Sequence, residues 1–170
     1  MNPTQIDSRV PSRRRQRCVG IAAEPGGFEL KHYLLGVLRE AGYHMIDYGD
    51  HRAQPEDDYP DFVVPLARAV AVGTVDRGIA LCGSGVGASI AASKVAGARA
   101  CLLDESFAAK QGVEDVNCNI ICLGGLAASR AVAWDLVQTS LAASFRGADL
   151  YRRRLVKIAA LDSPSTKTRE

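Results

Sequence analysis

Five short apolar runs, separated by stretches whose apolar residues recur with helical spacing, leave few architectures open to this chain. The runs are Cys18 to Ala23, Met45 to Tyr48, Arg77 to Cys82, Arg99 to Leu103 and Asn119 to Leu123. Between them the spacing predicts helices over Phe28 to Ala41, Phe62 to Val72, Ala88 to Val95 and Phe107 to Glu114. Two more follow the last run, Ala127 to Ser144 and Tyr151 to Asp162. Strands that alternate with helices pair in parallel, because each return to the sheet needs a crossover long enough to hold a helix. The expected fold is a doubly wound α/β sandwich with five strands, which places ligands at the carboxyl ends of the strands. The run ending at Cys82 is apolar almost throughout and is expected to be buried on both faces.

Composition narrows the functional classes. The 170 residues carry a net charge of +2, but five arginines stand against Asp7 in residues 1–17, and Lys167 and Arg169 stand against Glu170 in residues 163–170, so the body between carries −3. A mildly acidic body lacks the basic face that nucleic acid requires, and no run approaches the ~20 apolar residues of a membrane span. The basic leader over 1–17 and the Ser- and Pro-containing tail over 163–170 are read as disordered, with the folded domain over 18–162. A twin-arginine export signal would need a longer apolar segment than Cys18 to Ala23; an organelle transit peptide is the other alternative. Five cysteines without CxxC spacing suit a reducing compartment, here the cytoplasm. Cys18, Cys101 and Cys122 fall in expected strands as packing residues, with Cys118 undecided. His32, His44 and His51 read as surface or capping residues.

The densest signal is Cys82-Gly83-Ser84-Gly85-Val86-Gly87, between the third strand and an alanine-rich helix. Glycines at a helix start let backbone N–H groups turn toward an anion, and the helix dipole adds positive potential there. A thiol at that position is usable as a base or nucleophile. The plainer reading makes Cys82 a small apolar residue that closes a buried strand. A third reading is dinucleotide binding, since Gly83, Gly85 and Ala88 fit G-x-G-x-x-A and Asp104 ends the next strand. Against it, the loop follows the third strand, a cysteine precedes it, and one short domain leaves little room for a second substrate.

The stretch from Cys82 to Lys94 with Gly97-Ala98-Arg99-Ala100 resembles the signature of the ribose-5-phosphate isomerase B and galactose-6-phosphate isomerase family. The likeness extends to Asp58-Tyr59-Pro60, Phe28-Glu29-Leu30-Lys31 and Asn119-Ile120-Ile121-Cys122-Leu123-Gly124. It implies a three-layer Rossmann-like α/β/α fold and cofactor-independent aldose–ketose isomerisation of a phosphorylated sugar. It also implies a homodimer or dimer of dimers with sites between subunits. In that reading Cys82 is the base that moves a proton through an enediolate, and Ser84 with the amides of Gly83 to Gly87 holds its oxygen. The remaining substrate contacts it implies are Tyr59, Asn117 and Arg154, with Arg153 as helper; Arg154 would fork onto the phosphate.

Three positions depart from the family. Glu24-Pro25 stands where many members have Asp-His, Asp115-Val116 replaces the His-Asn pair that includes the candidate ring-opening histidine, and Leu150 replaces a phosphate-binding arginine. Isomerisation and ring opening are separate proton transfers, so the substrate is expected to need no histidine-assisted opening, as with a tetrose or tetrulose phosphate. Otherwise Asp115 or Glu24 opens the ring. The alternative from another class is a non-catalytic sugar-phosphate-binding relative, or a partner subunit of an active isomerase. No metal and no cofactor are expected.

Overall fold

A computed structural model describes residues 17–162. Five strands, β1 (Cys18–Ala23), β2 (His44–Asp47), β3 (Arg77–Cys82), β4 (Ala100–Leu102) and β5 (Ile120–Gly124), form one parallel sheet in the order β2-β1-β3-β5-β4. Helices α1 (Phe28–Glu40), α4 (Ser106–Val116) and α5 (Arg130–Ala142) cover one face, and α2 (Tyr59–Ala71) and α3 (Val86–Ser93) the other. The expected three-layer sandwich is therefore the observed one. The strand order reverses between β1 and β3, so their carboxyl ends bound the crevice where such sheets bind ligands.

The core explains the order. β1 and β3 are sheathed on both faces, with Ile21, Leu34, Leu38, Leu66 and Ile79 inaccessible to water. Each such side chain contributes about 1.5–3 kcal/mol of transfer free energy. β2 and β4 are the edges and remain partly exposed, consistent with their shorter lengths.

Several boundaries differ from the periodicity. Helix α2 starts at Tyr59, three residues before the expected Phe62, because Pro60 sits in its first turn, where a missing N–H costs nothing. Helix α3 starts at Val86 rather than Ala88, so the last glycine of the loop lies inside the helix. Helix α5 begins only at Arg130, capped by Ser129, whose side chain accepts from the Val132 amide. Arg17, placed with the leader by charge, is joined to the body: its carbonyl accepts from His44 N at 3.2 Å and its guanidinium reaches the Leu141 carbonyl. The readings of the leader before it and of the tail after 162 fall outside the described residues.

The last helix, α6 (Asp149–Ala159), contributes nothing to the core: none of its residues is buried, and Val156, Ile158 and Leu161 beyond it are exposed. A cleft of about 520 Å³ runs beneath it, bordered by Ala98, Ala100, Cys101, Ile158 and Leu161. No described helix is long and apolar enough to cross a membrane.

Candidate active site

Cys82 ends β3 with 5% of its surface exposed, its sulfur shielded beneath the glycine loop. Its Sγ accepts a hydrogen bond from the Gly85 amide at 3.1 Å, so the loop folds back over the thiol. That return requires Gly85 at φ +79°, and a Cβ there would stand 2.8 Å from the Leu123 carbonyl carbon. Only glycine meets both demands. The same loop is fastened to the end of β5 by Gly125 N donating to Cys82 O at 2.8 Å and Leu126 N to Gly83 O at 3.1 Å. Tyr59, the first residue of α2, lays its ring against the helix start, where a Cβ on Gly87 would come within 2.7 Å of it.

Glu24 leaves β1 and faces this loop. One carboxylate oxygen accepts from Gly26 N at 2.8 Å and the other from Gly83 N at 3.1 Å, so the acid couples the ends of β1 and β3. This alters two expectations. The amides of Gly83 and Gly85 are engaged by Glu24 and by Cys82 Sγ, which leaves the first-turn amides of α3, those of Val86 and Gly87, as the candidate donors for an anion. Val86 N makes only a 3.4 Å contact to the exposed Ser84 Oγ and is readily released. Glu24 also places negative charge where the dinucleotide reading would need pyrophosphate, which counts against that reading. A cleft of about 270 Å³ opens beside Ser84, bordered by Leu102, Asp104, Gly124 and Ala128. The larger cleft under α6 is bordered by neither Cys82 nor Ser84.

Next to Glu24, Lys31 is fully buried, and its amine donates to Asp47 Oδ1 and Oδ2 at 3.1 and 2.9 Å and to the Asp50 carbonyl. Burial would raise the Asp50 carboxyl, but the backbone amides of Arg52, Gln54, Ala53 and His51 outweigh it and lower it. The acidic loop is therefore an organised wall of the crevice. Within it, burial and the neighbouring carboxylates of Asp50, Asp61 and Asp58 push Asp57 up. Lys31 was missed by sequence reasoning, although it occupies the stripe of Leu34, Leu35 and Leu38 at i+3, i+4 and i+7, where a lysine is a warning.

The other predicted residues gather elsewhere. Asp115 and Asn117 lie at the C-terminal end of α4, which leads into the amino end of β5, the opposite edge of the sheet from Cys82. Asn117 adopts the left-handed conformation at φ +50°, and its carbonyl accepts from Arg99 Nε at 2.7 Å. Arg153 and Arg154 are exposed on α6, and Arg154 borders a cleft of about 460 Å³ with Asp115, Gln111 and Cys101. Arg146 was also missed. Its guanidinium donates to Glu114 Oε2 at 2.7 Å and to the Tyr151 hydroxyl at 3.0 Å, and stands 3.3 Å from Asp115 Oδ1. The Glu114 hydrogen bond, then Tyr151 and the Asp115 charge, raise Arg146 above its already high value. Asp115 Oδ1 is buried and the contact too oblique for a hydrogen bond, so it is an ion-pair contact only. In one chain, then, Cys82, Ser84, Glu24 and Tyr59 form one group; Asp115 and Arg154 share another cleft, Asn117 borders a third with Leu155 and Val156, and Arg153 is exposed on α6. Among the described residues no cluster of three or more His, Cys, Asp or Glu side chains is placed to hold a metal ion.

Comparison with known proteins agrees with this fold. The Ribose/Galactose Isomerase family model matches residues 19–158. Ribose-5-phosphate isomerase B of Escherichia coli is 36% identical over 136 residues, covering 80% of this chain and 90% of that protein. D-erythrulose-4-phosphate isomerase of Pectobacterium atrosepticum is 31% identical over 129 residues, covering 76% and 85%. The solved structure of Clostridium thermocellum ribose-5-phosphate isomerase B superposes with a TM-score of 0.82 at 39% identity, covering 85% of this chain and 97% of that one.

Proposed function

The chain belongs to the ribose/galactose isomerase family, and on that premise we propose that it interconverts the aldose and ketose forms of a sugar phosphate, with Cys82 as the base and a four-carbon phosphate as substrate. The observation that carries the reading is the thiol at the end of β3, roofed by the Gly85 amide and flanked by the first-turn amides of α3. Cys82 takes a proton from the carbon next to the carbonyl and returns it to the neighbouring carbon. The enediolate oxygen is held by the Val86 and Gly87 amides and Ser84 Oγ, donors aimed where charge develops. Glu24 is a positioning group, since both its oxygens are engaged by backbone amides.

Support for a substrate that arrives open comes from the other edge. Asp115, at the family's histidine position, is engaged by Arg146, an arrangement suited to an anchored carboxylate and not to proton delivery. A tetrose phosphate esterified at its terminal hydroxyl cannot close the usual furanose ring, and the Pectobacterium relative is named for such a four-carbon substrate. Arg154 supplies the phosphate contact from a second copy of the chain. The uncovered apolar face of α6, and the placement of Arg154 at the opposite edge from Cys82, are what support that dimer.

Proton exchange tests the chemistry: sugar phosphates incubated in heavy water are expected to exchange at the carbon beside the carbonyl with the native chain, and not with Cys82→Ala. If no phosphate in a panel of four-, five- and six-carbon sugars exchanges, the protein is a binder and not an isomerase. The substrate is tested by rate. With excess enzyme, ribose 5-phosphate consumption is expected to level off at the spontaneous ring-opening rate, while a tetrose phosphate keeps pace with enzyme concentration. Turnover of ribose 5-phosphate that rises in proportion to enzyme overturns the four-carbon assignment and leaves the isomerase standing.

A further inference from the structure

Cys101 and Cys118 form a thiol pair that the isomerisation does not use. Cys101 is the middle residue of β4, in register with Ile121, and Cys118 closes the turn between α4 and β5. Both pack in the apolar layer beneath α4. Gly112 of α4 lies over them: a Cβ there would stand 3.7 Å from Cys101 Sγ and 3.8 Å from Cys118 Cβ. The absent side chain leaves both cysteines facing the same gap. The Cys118 thiol donates to the Ile120 carbonyl at 3.0 Å.

Access divides the pair. Cys118 is 1% exposed, whereas Cys101 is half-buried and borders both the cleft beneath α6 and the one that holds Asp115 and Arg154. Ionisation divides it the same way. The hydrogen bond from Cys118 lowers the Cys101 thiol against the cost of its burial, with the Arg99 charge assisting; the same bond and burial push Cys118 well up. The reachable sulfur is thus the one whose ionised form is favoured. Cys82 and Cys122 lie in the layer on the opposite face, and burial pushes Cys122 far up.

We propose that Cys101 and Cys118 are a peroxide-reactive dithiol that closes to an intramolecular disulfide. The Cys101 thiolate attacks one peroxide oxygen: an S–O bond forms, the O–O bond breaks, hydroxide leaves, and Cys101 is oxidised to a sulfenic acid. The Cys118 sulfur then attacks the Cys101 sulfur. The S–S bond forms, the S–O bond breaks, and the departing hydroxide takes the Cys118 proton as water. Two thiols are oxidised and one peroxide is reduced to two waters. The bridge ties β4 to the turn that carries Asn117, beside the cleft bordered by Asp115 and Arg154. It does not depend on the isomerase reading.

The test is to expose the full chain to hydrogen peroxide, block remaining thiols with N-ethylmaleimide under denaturing conditions, and map the peptides. The expected result is a Cys101–Cys118 cross-linked peptide about 2 Da lighter than the sum of its two reduced halves, and reversal by dithiothreitol. Cys118→Ser is expected to leave a Cys101 sulfenic acid that dimedone captures, and Cys101→Ser to give no bridge. A wild-type chain in which Cys101 stays unreacted, proceeds to sulfinic acid, or bridges to any other cysteine overturns the proposal. Because the wild-type map alone decides, a variant that fails to fold does not blunt the test.

Discussion

At the carboxyl ends of β1 and β3 the functional groups are held by backbone, whereas at the opposite edge they are held by one another. Cys82 and Glu24 each take amide hydrogen bonds from the glycine loop, and the loop is fastened to β5 by further amides. Arg146, Glu114, Asp115 and Tyr151 instead form a cluster of charged and polar side chains beneath a helix with no buried residue. Backbone sites hold position because moving them breaks the sheet. Side-chain clusters on exposed elements cost little to rebuild. The division suits the two tasks proposed above: proton transfer tolerates little displacement, while phosphate recognition by a guanidinium is more forgiving and fits an element that a second chain would complete.

The largest expected effect is chemical. Cys82→Ala should lower turnover by at least ~10³-fold while the urea midpoint shifts only modestly; a variant that keeps a tenth of the activity would remove the thiol from the mechanism. Next, Gly85→Ala is expected to destabilise the fold by about 1–3 kcal/mol, because it adds a Cβ at positive φ in a closed space. Gly36→Ala, in the middle of α1 with nothing within 4 Å of the added carbon, should stabilise by about 0.5–1 kcal/mol. Equal urea-denaturation shifts for the two glycines would break the contrast between a backbone-built loop and an ordinary helix position. Third, Arg154→Leu should raise KM roughly 10–100-fold, as expected for one charge-assisted hydrogen-bond site, with the melting temperature nearly unchanged. A loss of stability without a KM change would make Arg154 structural.

The smallest expected effect is electrostatic. Asp57 is raised in the folded chain, so its ionised form opposes folding at pH values above its folded pKa, and protonation relieves this as the pH falls. Asp57→Asn should therefore melt higher than the native chain at pH 7, and the difference should fade below about pH 4, where both states are neutral. Thermal melts at the two pH values would reveal a difference that does not fade, which would point to packing.

Much of this was legible in residue patterns, and the misses have physical causes. The strands over Cys18–Ala23 and Arg77–Cys82 are found where the apolar runs put them, because a strand sheathed on both faces is apolar in every residue after its first. Helix starts were misjudged where a proline or a glycine opens the first turn, as at Pro60 and Gly87, since neither residue reads as helical by propensity. Cys101 packs against the core as expected but stays half-exposed because β4 is an edge strand, while the undecided Cys118 belongs to the core.

Sequence by itself determined the layered parallel architecture, the thiol with its glycine loop, and the kinship with sugar-phosphate isomerases, because periodicity and a local motif are written in consecutive residues. Only the tertiary structure decided which loop amides remain to meet an oxyanion, that Lys31 organises the acidic wall, and that Asp115 is engaged by Arg146. Each of those depends on groups far apart along the chain, from a separation of 16 positions for Lys31 and Asp47 to 59 for Glu24 and Gly83, and nothing in local spacing records such a meeting.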